Sequence, residues 1–186
     1  GAVLYVFSKS KRKKDIGTIL LGLGMIFFGM NTMETTLSPL KDMPQFTNLF
    51  FVFSNPFFGM LLGMVMTAIL QSSSASVGIL QALSSTGAIT FSTAVPIILG
   101  QNVGKCITVI LASIGSKRDA KRVVFIDVLN NIIGLVIFFV AVYGLNYIVQ
   151  FSFWDSIVNR GDIANFHTLF NIGTTIVLLP FVNIII

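Results

Sequence analysis

The sequence predicts an all-α polytopic membrane protein with discontinuous helices, and three observations carry that prediction. Charge is scarce: of 186 residues, 54% are hydrophobic and 10% charged, with a mean hydropathy of +0.89, whereas a soluble domain carries about 25% charged residues. Long apolar runs recur, as at residues 132–145 and 174–186, without the short alternating segments of an outer-membrane barrel. The basic residues fall mainly into two clusters between apolar stretches, KSKRKK at 9–14 and KRDAKR at 117–122. That is the pattern of cytoplasmic loops under the positive-inside rule, so the net charge of +5 speaks for orientation and lipid head-group contact, not for nucleic acid. The single cysteine, Cys106, has no partner for an internal disulfide and implies no oxidising compartment.

Taken in order, residues 1–8 read as the end of a preceding transmembrane helix, 9–15 as a basic cytoplasmic loop, and 16–186 as one transmembrane repeat. The first full span covers 16–37, long enough to cross a hydrocarbon core of about 30 Å. Its Gly17, Gly22, Gly24 and Gly29 keep it thin for close packing. Pro39 and residues 41–44 end it in a turn, and the Phe-rich piece at 46–53 suits an interface or connector. A helix over 56–70 follows, with Asn55 as its cap and Pro56 in its first position; fifteen residues reach only about 22 Å.

QSSSAS at 71–76 then interrupts, and 77–83 resumes before Ser84, Ser85 and Gly87 break the chain again. The same pattern is expected once more: 93–99 broken by Gly100, Gln101 and Asn102 within 100–106, then resumed over 107–114. Short apolar segments broken by polar and glycine residues at membrane depth have the form of discontinuous helices. Residues 123–149 make one long helix, Trp154 an interfacial anchor, and 164–186 the last span after a loop carrying Asp155, Arg160 and Asp162. With both basic clusters on one side, the crossings between them must be even in number. Four full passages satisfy this, and so does a re-entrant hairpin with two crossings.

Gly59, Gly63, Thr67 and Gln71 recur every four residues and share one helix face. The glycines admit a second backbone, and the threonine and glutamine carry the same face on as polar groups into Ser72, Ser73 and Ser74. A lone membrane serine can bond back to its own helix, but three in a row face three directions. Hydroxyls and an amide both donate and accept. Together with the helix start that follows the break, they suit an oxyanion and a small hard cation held by neutral groups.

These residues carry a resemblance. TAILQSSSASVGI, AVPIILGQNVGKCITVILASIG, RDAKRV and FHTLFN, in this order and spacing, resemble the bacterial branch of the type II sodium/phosphate cotransporter family over nearly the whole chain. The single QSSS, with DIGTILLGLGMIFFGMNTM and GQN, is most similar to the second of that family's two inverted repeats. The resemblance implies one half of an inverted-repeat transporter in a bacterial cytoplasmic (inner) membrane, performing sodium-coupled symport of inorganic phosphate with no cofactor beyond the coupling ion. It implies a site at Gln71, Ser72, Ser73 and Ser74, sodium included, with Thr67 beside it and Gln101 and Asn102 at a second break. It further implies a first repeat upstream, a PhoU-like cytoplasmic domain downstream, and leaves room for a homodimer.

Two residues depart from the family pattern: Lys105 stands where threonine is common, and Asp127 where histidine is. An internal echo supports the second reading, since DVLNNIIG from Asp127 parallels HTLFNIG from His167. Opposite charges inside membrane helices are costly unless they pair or reach water. Three readings stand: a structural Lys105–Asp127 ion pair, two independent interfacial charges, or a lysine in place of a bound sodium. The same departures keep open a non-transporting phosphate sensor or scaffold, or transport of another anion. An enzyme is not expected, because His167 has no acid beside it and QSSS is not the strained G-x-S-x-G elbow of a hydrolase.

Overall fold

The computed structural model describes residues 1–43 and 52–181. Most of the Phe-rich piece at 46–53 and the end of the last expected span lie outside the described residues. In chain order the elements are α1 (Ala2–Phe7), α2 (Lys11–Leu37) with a 3-10 turn Ser38–Asp42, α3 (Pro56–Leu70), α4 (Ser73–Ser84), α5 (Phe91–Gly104), α6 (Cys106–Ala112), α7 (Arg118–Val149), and α8 (Arg160–Leu178) with a 3-10 turn Leu179–Phe181. Among the described residues no strand forms, and the class is the expected all-α one. Helices Lys11–Leu37, Phe91–Ala112 and Arg118–Val149 are long and apolar enough to cross a membrane. Apolar side chains such as Ile19, Phe27 and Phe28 on α2 and Phe125, Val136 and Val140 on α7 point outward, as a lipid-facing surface requires.

The N-terminus differs in detail from expectation. Helix α1 folds back on α2, so closely that a Cβ on Gly17 would lie 2.8 Å from the Tyr5 nitrogen. The basic stretch is a loop only at 8–10; from Lys11 onward it forms the first turns of α2, because Lys and Arg are good helix formers.

Helix α3 has the expected bounds and cap: the Asn55 side chain accepts from the Phe57 amide at 3.0 Å, and Pro56 stands in the first turn. Its glycine face meets α5 backbone to backbone. A Cβ on Gly59 would lie 2.9 Å from Pro96 Cγ, one on Gly63 2.9 Å from the Gln101 nitrogen, and one on Gly104 2.9 Å from Thr67 Cβ. Both residue numbers rise together, so α3 and α5 run parallel. Gly100 completes the seam, since a Cβ there would overlap the Met60 carbonyl. Small residues on both helices thus permit a close backbone-to-backbone approach.

Parallel α3 and α5 dictate what lies between them. The first turn of α5 lies beside that of α3, yet only residues 85–90 separate α5 from the end of α4. Helix α4, twelve residues long, must therefore return the chain along α3. The pair is a helical hairpin with Gln71 and Ser72 at its tip.

The expected second break at 100–106 narrows to a single residue, Lys105, between α5 and α6. Residues 91–104 are helical and Lys105 keeps right-handed angles (φ −61°, ψ −25°) before α6 begins. Gly100 and Gly104 are packing glycines, and the helix they belong to must stay regular to lie against α3. Helix α5 is also the central post of the fold, buried at every residue from 93 to 102. Ile97 and Ile98 pack with Leu80 of α4 and Ile163 of α8, and Val95 and Leu99 with Phe170 of α8.

Helix α8 starts at Arg160, four residues before the expected 164, because Asn159 and Asp162 form a reciprocal capping box. The same end of the molecule is tied by contacts across the chain. Arg160 pairs with Glu34 at the end of α2, its Nε donates to Ser85 Oγ at 3.2 Å, and Val158 N donates to Ile89 O at 3.0 Å. Trp154 packs edge-on against Tyr143 at 5.3 Å between ring centres.

Candidate functional site

The hairpin tip is built by two residues leaving the helix. Gln71 closes α3 in the left-handed region (φ 51°, ψ 24°), its amide donating to Thr67 O at 2.8 Å. A non-glycine residue there costs about 1–2 kcal/mol. Ser72 is extended (φ −146°, ψ 109°) and caps α4, its Oγ accepting from the Ala75 amide at 3.2 Å. Its hydroxyl also lies 3.2 Å from Ser74 Oγ.

The interruption is therefore two residues, 71 and 72, and Ser73 to Ser76 already belong to the first turns of α4. Beneath the tip, Thr67 Oγ1 donates to Ser76 Oγ at 2.8 Å, and both side chains are fully buried. This bond locks the two arms together. Ser76 belongs to the sequence motif, but its pairing with Thr67 could not be read from spacing, because it crosses the turn.

Outward from this bond the polarity opens to the surface. Gln71 and Ser74 are exposed and Ser72 and Ser73 half-buried; among the described residues the Ser73 hydroxyl has no hydrogen-bond partner. In a membrane an exposed polar tip needs a partner, be it water, a ligand or more protein.

Gln101 and Asn102 lie apart from the tip in kind: both are buried on the central post. Asn102 Nδ2 donates to Ile98 O at 2.9 Å, which leaves its Oδ1 unpartnered, and Gln101 lacks a partner on both its oxygen and its nitrogen. Each such buried group costs about 1–3 kcal/mol. Native proteins tolerate this where a ligand or ordered water completes the set.

Lys105 and Asp127 face one cleft of about 250 Å³, together with Asn130, Asn131, Asn171 and Thr174. They make no direct ion pair; the ion pair among the described residues is Arg160–Glu34. Asp127 is instead met along its own helix, its Oδ1 accepting from Asn131 Nδ2 at 3.3 Å. The DVLNN and HTLFN echo appears as shared geometry: Asn131 Nδ2 donates to Asp127 O at 2.8 Å and Asn171 Nδ2 to His167 O at 2.7 Å. Asn130 and Thr174 were missed by sequence reasoning, although the echo pointed to both helices.

The family described as Na+/Pi-cotransporter matches residues 43–154, which contain the whole hairpin and the central post. Protein YqeW of Bacillus subtilis is 32% identical over 188 residues, covering 99% of this chain and 59% of YqeW. Sodium-dependent phosphate transport protein 2B of Pongo abelii is 32% identical over 130 residues, covering 66% of this chain and 18% of that protein. YjbB of Escherichia coli, whose name assigns it provisionally to inorganic phosphate export, is 23% identical over 184 residues, covering 98% of this chain and 33% of YjbB. The chain thus spans at most 59% of the length of these relatives. No solved structure matches it. A match over more than half of the chain, taking in both the QSSS tip and the glycine seam, places this protein in the Na+/Pi-cotransporter family.

Proposed function

We propose that the chain forms one half of a sodium-coupled symporter of inorganic phosphate in a bacterial cytoplasmic membrane. Gln71, Ser72, Ser73 and Ser74 contact sodium and phosphate, Thr67 holds the tip, and Gln101 and Asn102 complete the polar lining from the central post. The observation that supports this most is the capped, two-residue interruption at Gln71 and Ser72. It exposes neutral donors and acceptors at a helix start, the chemistry that replaces water around an oxyanion and a hard cation.

The hairpin suits a re-entrant placement. Arms of fifteen and twelve residues reach about 22 and 18 Å and return to the side they left. Helices α2 and α5–α6 are then the two crossings between the basic clusters, which restores the even number their common side demands. The exposed tip would meet a second repeat across the membrane midplane, and movement of one repeat against the other would alternate access. Each sodium entering contributes about 2.3 kcal/mol per 100 mV, which is set against the same cost for each negative charge that phosphate carries inward.

A second reading rests on YjbB: the same site could run phosphate outward. Labelled phosphate flux in proteoliposomes of the full-length protein separates the two. Symport into the cell requires accumulation that follows an inward sodium gradient and reverses with it. Efflux indifferent to sodium supports export, and no flux under any cation moves the sensor or scaffold reading ahead.

A further inference from the structure

A cavity of about 580 Å³ lies where α5, α7 and α8 meet the link at 150–159, and it shares no residue with the hairpin tip. Its depth follows from α7. That helix starts in a basic cluster of the cytoplasmic side, and its 32 residues rise about 48 Å, so Val149 and the cavity beside it stand at the opposite membrane face. Polarity along the cavity is graded. Asp162 and Asn165 line it from the first turns of α8, and Leu169 lines it further along the same helix, about 10 Å deeper than Asp162. Val95 of α5 closes the floor at 2% exposure, while Leu145 and Leu169 on the rim are 52% and 60% exposed. The deep part offers no polar side chain, and a water needs two to four polar partners to stay in a cavity. At the shallow end a carboxylate is available. Asp162 Oδ2 accepts from the Asn159 amide at 2.9 Å, and its Oδ1 has no partner among the described residues. Arg160, two residues away, is turned to Glu34 and Ser85 instead.

We propose that this cavity holds a phosphatidylethanolamine molecule of the leaflet opposite the basic clusters, with an acyl chain in the apolar part and the ammonium on Asp162. The volume falls within that of ligand sites, about 300–1,000 Å³, and the apolar part lies at the depth of acyl chains, below the interfacial Trp154 that lines the same cavity. Charge decides the head group. A carboxylate without an ion-pair partner attracts a cation, and a primary ammonium brings N–H donors for the free Oδ1. Asp162 repels an anionic head group, and the exposed Asp155 next to Trp154 adds to that repulsion. The inference rests on the membrane placement of α7 and α8 and not on phosphate transport.

The test is thermal unfolding of the purified, delipidated full-length protein in detergent, titrated with phosphatidylethanolamine or with phosphatidylcholine of identical chains. The two lipids carry the same net charge, but the quaternary ammonium of phosphatidylcholine has no N–H to donate. Ligand binding to the folded state raises its melting temperature with concentration. Wild type is expected to reach half-maximal stabilisation at about fivefold less phosphatidylethanolamine than phosphatidylcholine, the effect of one hydrogen bond to a charged group. Asp162→Asn, whose carbonyl oxygen can still accept from the Asn159 amide, is expected to lose that preference. Val142→Phe, which enlarges a side chain of the cavity wall, is expected to weaken the response to both lipids. Should it fold poorly, Val142→Leu carries the same expectation with a smaller insertion. An equal response of wild type to the two lipids overturns the proposal, as does a preference that survives Asp162→Asn. An unweakened response in the Val142 variants overturns it too, and is the result expected if another part of the full-length chain fills the cavity. Because no phosphate is present, failed phosphate transport would leave this result standing.

Discussion

The hairpin tip and the centre of α5 both place polar residues in an apolar chain, and they treat the backbone in opposite ways. At Gln71 and Ser72 the helix stops, and a serine hydroxyl takes over one of the amide bonds it gives up. At Gly100 to Gly104 the helix continues, its amides are buried, and α3 lies directly on its backbone. Polarity at the tip is turned outward and available; polarity in the seam is enclosed. The lesson is that glycine beside polar residues in a membrane helix has two uses. It loosens a helix only where side chains can cap the ends, and where another backbone leans on it the helix has to stay intact.

The largest expected effect would break the seam. Gly100→Ala and Gly63→Ala each set a methyl against a backbone carbonyl, of Met60 and Ile97 respectively. Overpacking costs about 1–3 kcal/mol and occasionally more, and backbone obstacles cannot rotate away, so loss of monodisperse folded protein on gel filtration is expected. Gly22→Ala, with nothing within 4 Å, is the control: stability unchanged or raised by up to about 1 kcal/mol. A milder seam phenotype than the control would sink the packing account.

Next in size, Thr67→Val leaves Ser76 buried without its donor. It should lower stability by about 1–3 kcal/mol, read as a drop in melting temperature, and Ser76→Ala should add little on top because the two share one bond. Full additivity would mean the arms are held by something else.

Gln71→Gly sharpens the comparison from the tip. Glycine relieves the left-handed strain at φ 51° and should stabilise the protein by about 1 kcal/mol, while removing an amide proposed to contact substrate. Higher melting temperature with reduced uptake is expected; a drop in both would show that the amide supports the fold. The smallest effect is reserved for Arg160→Ala. Its pairing with Glu34 is part-exposed, with side-chain exposures of 38% and 32%, so a change within about 1 kcal/mol is expected.

Much of this was readable from residues whose causes are local. The bounds of α3 follow from Asn55 and Pro56, and the interruption at 71–72 from hydroxyls that can cap. Where the second break falls is less legible, because Gly100 and Gly104 look alike in sequence whether they loosen a helix or receive another one; the position of Met60 and Met64 makes them packing glycines and leaves the division at Lys105. Lys105 and Asp127 share a cleft, as opposite charges in one membrane suggested, but whether they touch depends on how α5, α7 and α8 pack. Helix α8 brings Thr174 to that cleft and a close contact to Gly134, an arrangement that spacing along the chain does not encode.

Sodium-driven phosphate accumulation by Ser73→Ala proteoliposomes, beside wild type, tests the central claim most directly. The Ser73 hydroxyl has no partner among the described residues, so the variant should melt like wild type. If the hairpin tip is the substrate site, accumulation falls at least about tenfold, the equivalent of 1.4 kcal/mol. Undiminished accumulation by a folded Ser73→Ala protein would contradict the account and move the site away from the tip.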